Sequence, residues 1–332
     1  MAEGCFKTPA KPKGRTSKGI DVSGGKFNLE IPASPFLARL GYGTGVSVYS
    51  LDRGKEQSPW AIKKLNKFYR ERQTVQKVCL EKEAELMRKL NHPNIIGFRS
   101  YTQTPEGPML LLEKCDWSLL DVIEERVDKG SNAFEAWKIE KVAKDVVFAL
   151  EFLHHTLFYM HGDLKSANVL VNGDFDAVKL CDFGVAVKMD EDFTAPAEEY
   201  TGTRYWLAKE VLEGSKERIT NKAEMYSYGL TVFEMLSLSF PHMEDATDCS
   251  TSTETDSSFP EDEDSVVDES ENSTLGTRPY LPERLAAFYA ADKNYNDILS
   301  IYFLCTSENA GERPAANHLA SSFREKMAAG EA

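Results

Sequence analysis

From Leu40 to Leu112 the chain runs in short stretches where apolar and polar residues alternate: VSVYSL, WAIKKL, IIGFRSYT and PMLLLE. β-branched and aromatic residues dominate these stretches, which read as strands. One segment among them has a different period. In VQKVCLEKEAELMRKLN, Glu83, Met87 and Leu90 fall at i, i+4 and i+7, so a carboxylate shares a helix face with two core residues. Beyond Leu112 the period becomes helical throughout. FEAWKIEKVAKDVVFALEFLHH places Trp137, Val142, Val146, Leu150 and Leu153 on one stripe, with His154 and His155 ending the helix, and EMYSYGLTVFEMLSLSFPH follows as another. The pattern predicts an α+β protein: a small β-rich lobe with one main helix, then a larger helical lobe. Residues 1–30, rich in Lys, Gly, Pro and Ser, read as a mobile basic tail, and 326–332 as a second tail.

Composition changes this picture in one place. The 332 residues, 42% hydrophobic, can bury a large core, and the formal charge is −14. Twelve of the acidic residues, with no basic one among them, lie in EDATDCSTSTETDSSFPEDEDSVVDESE (244–271), a low-complexity insertion expected to be a disordered, solvated loop. The remainder is near −2, and no basic stripe interleaved with aromatics recommends nucleic acid as a partner. No run of about 18 apolar residues suggests a membrane span, and the N-terminus lacks the apolar segment of a secretory signal. The expectation is a soluble protein of the cytoplasm, with the nucleus left open. Six scattered cysteines without a C-x-x-C pair read as reduced thiols, and six histidines show no metal-ligand spacing.

Three stretches carry candidate chemistry. LGYGTGVSVY sets Gly41, Gly43 and Gly45 in a hairpin whose backbone N–H groups could approach phosphates, although such glycines taken alone are more often a plain turn. Lys63 follows in AIKKL; buried, it needs a counter-charge, and Glu83 can supply one. HGDLKSANVL and LCDFGV then offer Asp163 to accept a hydroxyl proton and Lys165 to neutralise a transferring phosphoryl group. Asn168 and Asp182 offer oxygens to Mg2+.

The ordered set of Gly-rich loop, A-I-K, helix Glu, H-x-D-x-K-x-x-N and D-F-G resembles the eukaryotic protein kinase superfamily. That resemblance implies a two-lobed kinase domain over 31–325, divided as 31–113 and 114–325, with ATP and Mg2+ in the cleft. It places Gly41, Gly43, Gly45, Val48, Ala61 and Lys63 around the nucleotide, with Leu112, Glu113 and Cys115 at the adenine. By the same resemblance GTRYWLAKE stands where the family closes its activation segment, and Arg313 in GERP stands where the partner of that closing glutamate, Glu210, is expected. The D-L-K form resembles serine/threonine kinases. FKTP, IPASPF and the insertion before LGTRP resemble a subfamily akin to MAP kinase kinases, associated with mitosis and MAP kinase signalling. Its substrates would be proteins, MAP kinases among them, phosphorylated on Ser/Thr or with dual specificity.

The sequence departs from the family at several positions. Gly162 replaces the arginine that commonly grips an activation-segment phosphate, Val46 the third glycine of the loop, Lys209 a proline, and Glu224 an aspartate that anchors the catalytic loop. These departures keep a pseudokinase scaffold in view as the rival reading. Thr8, Thr194, Tyr200 and Thr201 are candidate phosphosites. Cys181 reads as an inert buried thiol, and the ending AAGEA suits a PDZ domain poorly.

Overall fold

The structure, a computed structural model, describes residues 20–22, 25–29, 38–43, 46–51, 59–65, 73–105, 107–130, 133–214, 217–242 and 274–330. Thr8, Gly45 and the acidic insertion 244–271 lie outside them. The chain forms two compact units, one reaching to Leu80 and including Phe98–Lys114, the other containing Glu81–Gly97 and everything from Cys115 onward.

In the first unit, β1 (Ile20–Val22) and β2 (Gly25–Leu29) pair antiparallel. Part of the stretch expected as a tail is therefore a ladder, formed where IDV and KFNL alternate around a glycine pair. Then come β3 (Ala38–Gly43), β4 (Val46–Leu51), β5 (Trp60–Leu65), α1 (Gln73–Met87), which passes into the second unit at Glu81, β6 (Phe98–Thr104) and β7 (Gly107–Glu113). The sheet is antiparallel, in the order β3-β4-β5-β7-β6. Leu51, Ile62, Met109 and Leu111 form a buried cluster on one face, with Tyr49 and Trp60 against them. α1 stops at Met87, short of the expected Asn91, because Lys89 and Leu90 bond back only three residues and Pro93 disfavours helix before it.

The second unit continues with β8 (Trp117–Ser118) and α2 (Leu119–Asp128), which Ser118 and Asp121 start with a reciprocal capping box. α3 (Ala136–Glu151) buries Ile139, Val142, Val146 and Leu150 and widens into a π-helical turn at Phe152–Leu157. Trp137 is the exception on its stripe. It is 51% exposed and lies edge-on to Phe175 with the Lys138 ammonium over its ring. β9 (Tyr159–Met160), β10 (Val169–Asn172), β11 (Ala177–Leu180), β12 (Val187–Lys188) and β13 (Thr194–Pro196) follow. After α4 (Lys209–Leu212) and β14 (Arg218–Thr220) comes α5 (Lys222–Ser237), buried at every position from Ala223 to Ser237. α6 (Glu283–Ala291), α7 (Asn296–Cys305) and α8 (Ala316–Ala329) complete the unit, α7 packing on α5 and α8 on α3. The expected tail from residue 326 starts later. α8 runs to Ala329, and Gly330 at φ +75° ends it.

α5 is hydrophobic all round, as a central helix must be. Two carboxylates nonetheless sit inside it, Glu224 and Glu234. Both point at one loop.

Candidate active site

On the first unit, Lys63 is 5% exposed in the middle of β5, opposite Val48 of β4 and Leu110 of β7. Ala61, two residues earlier, faces Leu112 of β7, and both are buried. Glu113 ends β7 half-buried, while Gly41 and Gly43 lie in β3. On the second unit Glu83 is 2% exposed, beside buried Ala84 and Met87 of its helix, and Cys115 is buried. An ammonium and a carboxylate each removed from water carry the cost the sequence anticipated for Lys63 and Glu83.

The hairpin β10–β11 sets the rest of the site. It brings residue 168 beside residue 181, where the Cys181 N–H donates to the Asn168 carbonyl (3.0 Å). The chain before β10 folds as the loop His161–Asn168, with a 3-10 turn at its end. Asp163 N–H donates to His161 Nδ1 (3.3 Å), so Nε2 carries the proton and donates to the Cys181 carbonyl (2.7 Å). His161 is buried and its ring meets Phe183, which ties the loop to the residue after Asp182.

Three side chains converge on the Asp163 carboxylate. Thr203 Oγ1 donates to Oδ1 (2.6 Å), Lys165 Nζ lies 3.0 Å from Oδ2, and Asn168 Nδ2 donates to Oδ2 (3.0 Å) and to the Asp163 carbonyl (2.7 Å). Lys165 Nζ also donates to Thr203 Oγ1 (2.5 Å), closing a triangle of Asp163, Lys165 and Thr203. Such a carboxylate is held by charge and direction and can take a hydroxyl proton. Thr203 carries no spacing signal of its own; only the fold reveals it.

Asn168 commits its Nδ2 to Asp163, and Asp182 stands half-buried at φ +63°. Amide and carboxylate oxygens are the hard donors Mg2+ takes. Among the described residues no group of three or more His, Cys, Asp or Glu could hold a metal ion. Cys181 is partly exposed, because it sits at the open end of the hairpin and not in a core.

Glu224 replaces an aspartate yet reaches the same loop. Its Oε1 accepts from Gly162 N–H (2.8 Å) and its Oε2 meets His154 Nε2 (2.6 Å), both inside the protein. Burial pushes this carboxyl up; the His154 hydrogen bond, the nearby imidazoles and Gly162 N–H outweigh it and hold the group below the ordinary range. His154 is thus no mere helix end. Gly162 adopts φ +86°, and an added Cβ would lie 2.3 Å from the Val185 carbonyl oxygen. The position admits no arginine in this backbone.

Arg313 and Glu210 pair as the motifs implied, at 2.6 and 3.0 Å through two oxygens. The remaining guanidinium donors go to the carbonyls of Ser307, Lys222 and Glu308. Of the candidate phosphosites, Thr201 is exposed, whereas Thr194 in β13 donates to Asp192 (2.8 Å) and accepts from Arg218 (2.9 Å). Tyr200 does not suit the part in this conformation. It is 3% exposed, its hydroxyl shares a hydrogen bond with Ser227, and burial pushes its pKa well up.

The family model described as "Protein kinase domain" matches residues 35–322. The human lymphokine-activated killer T-cell-originated protein kinase is 38% identical over 324 residues, covering 95% of this chain and 96% of that protein. The serine/threonine-protein kinase Tao of Drosophila melanogaster is 32% identical over 213 residues, 63% of this chain and 19% of its own length. The mitogen-activated protein kinase kinase kinase zak-1 of Caenorhabditis elegans is 30% identical over 173 residues, 49% of this chain and 22% of its own. No described helix is long and apolar enough to cross a membrane. With a match along nearly its whole length, and with the loop between β9 and β10 built around a threefold-held aspartate, the chain belongs to the protein kinase family.

Proposed function

We propose that this kinase transfers phosphate from Mg-ATP to serine or threonine hydroxyls of protein substrates, with MAP kinases among them and a role in mitotic signalling. The observation that carries the reading is the Asp163 carboxylate held at once by Lys165, Asn168 and Thr203. Asp163 orients the acceptor hydroxyl and takes its proton as transfer proceeds; Lys165 balances charge on the moving phosphoryl group. Asn168 and Asp182 would hold Mg2+, whose charge would supply neutralisation of the phosphates. The family resemblance assigns Lys63 to the α- and β-phosphates, Glu83 as the counter-charge for such a lysine, and Leu112, Glu113 and Cys115 to the adenine. The D-L-K-x-x-N loop and the serine/threonine kinases among the relatives support Ser/Thr acceptors. A relative named a mitogen-activated protein kinase kinase kinase supports a place near that cascade.

The test is transfer from Mg-ATP to a mixed Ser/Thr/Tyr peptide library by the chain and by Asp182→Asn. Transfer to Ser and Thr peptides that vanishes in the variant is expected. ATP binding without transfer by either protein would favour the scaffold reading that Gly162 and Glu224 raise. Thr194 and Thr201 are the activation-segment positions to map for phosphate, with Thr8 in the N-terminal segment.

A further inference from the structure

Glu234 lies on α5, ten residues beyond Glu224, and is 1% exposed. A carboxylate inside an apolar helix costs several kcal/mol unless donors meet it. Here three do. Ser166 Oγ donates to Oε1; Ser166 N–H (3.2 Å) and Trp206 Nε1 (2.9 Å) donate to Oε2. The residues so gathered come from two separate stretches. Ser166 follows Lys165 directly, so fixing its N–H and hydroxyl fixes the backbone from which Lys165 extends. Trp206 follows Thr203 by one 3-10 turn, and its N–H bonds back to the Thr203 carbonyl (2.9 Å). α5 also holds the Trp206 carbonyl, through Ser227 Oγ (2.8 Å). One carboxylate therefore restrains both stretches that must meet for Lys165 and Thr203 to reach Asp163.

We propose that Glu234 is a positioning residue for phosphoryl transfer, joining Ser166 to Trp206 so that Lys165 and Thr203 stay locked on Asp163. The proposal rests on reading residues 161–168 as the catalytic loop. It assigns Glu234 no contact with substrate; the three donors enclose it. What matters is reach and acceptor geometry. Gln keeps both, since its carbonyl accepts from Ser166 N–H and Trp206 Nε1 while its amide donates to Ser166 Oγ. Asp keeps the charge but withdraws the oxygens by one methylene, about an ångström, a displacement that costs on the order of 100-fold when it misplaces reacting groups.

The experiment measures kcat and the KM for ATP in the full chain for wild type, Asp163→Asn, Glu234→Gln, Glu234→Asp and Trp206→Phe. Glu234→Gln is expected to keep kcat within about threefold, while Glu234→Asp loses about 10- to 100-fold in kcat with an unchanged KM for ATP. Trp206→Phe, which removes one donor and leaves the Ser166 pair, is expected to fall between them. Glu234→Asp matching wild type, or Glu234→Gln losing as much as Glu234→Asp, overturns the positioning role. Should Glu234→Asp fail to fold, Trp206→Phe with wild-type kcat overturns it equally. Asp163→Asn separates the two readings: full turnover in that variant sinks the catalytic loop and this inference together, whereas its loss leaves Glu234 to be judged by its own variants.

Discussion

Replacing Gly162 by alanine is the smallest change that tests how the catalytic loop is held. Gly162 stands at φ +86°, and a Cβ there would lie 2.3 Å from the Val185 oxygen and 3.2 Å from its carbon, both backbone atoms. The Gly162 oxygen already sits 3.0 Å from where a Cβ on Gly202 would be. An L-residue in a left-handed conformation costs about 1–2 kcal/mol. Moving backbone to relieve the overlap costs about 1–3 kcal/mol more. The sum, about 2–5 kcal/mol, corresponds to roughly 5–15 °C in melting temperature for a unit of this size. Asp163 is the next residue, and the Gly162 N–H bond to Glu224 anchors it, so kcat should drop along with stability. Thermal unfolding and peptide phosphorylation of Gly162→Ala and Gly162→Arg provide the measurements. Gly162→Ala melting within about 2 °C of wild type, with unchanged kcat, would refute the argument. Gly162→Arg, which restores the residue common in the family, is expected to fare no better than alanine.

Thr203→Val removes the hydroxyl that closes the triangle with Asp163 and Lys165 and should lower kcat roughly 10- to 100-fold, whereas Thr203→Ser restores it in the same peptide assay. Arg313→Ala leaves Glu210 and three carbonyls without their donors and should cost about 3–5 kcal/mol in urea unfolding; a loss below about 1 kcal/mol would contradict the buried pairing. Burial pushes the Glu234 carboxyl up to about 7 from 4.5. Because an acid with a raised folded pKa is penalised as it ionises, this group costs nothing below its unfolded pKa and an increasing amount as pH rises through 7. About 3 kcal/mol is lost across that window. Urea midpoints of wild type and Glu234→Gln should diverge between pH 5 and pH 8, the variant being the flatter; parallel curves would remove the assigned shift.

Strands whose alternation is local were legible in the sequence. β4 and β5 begin and end where VSVYSL and WAIKKL do, since each residue's face is decided by its neighbours two away. Ile95 reads as strand too, but it bridges to Leu180 and belongs with the second unit, a partner 85 positions off that no local period can announce. Asp163, Lys165, Asn168 and Asp182 stood out because polar residues interrupt apolar runs at short, fixed spacing. Glu224 and Glu234 lie inside a run that reads as core, and His154 looks like an ordinary helix end. Their meaning comes from partners 28 to 70 residues away. Trp137 failed its stripe for the opposite reason. An aromatic near a helix start can stay at the surface, edge-on to Phe175 and beneath a lysine.

The burial of Tyr200 bears on the timing of any mark placed on it. A modifying enzyme could reach the hydroxyl only during an excursion in which the segment after β13 has come away from Ser227. A phosphate dianion added in that moment could not return to a cavity shaped for a neutral phenol. The modification would work as a ratchet. It would preserve an opened segment long after the fluctuation that exposed it had passed, and only a phosphatase would let the ring back in.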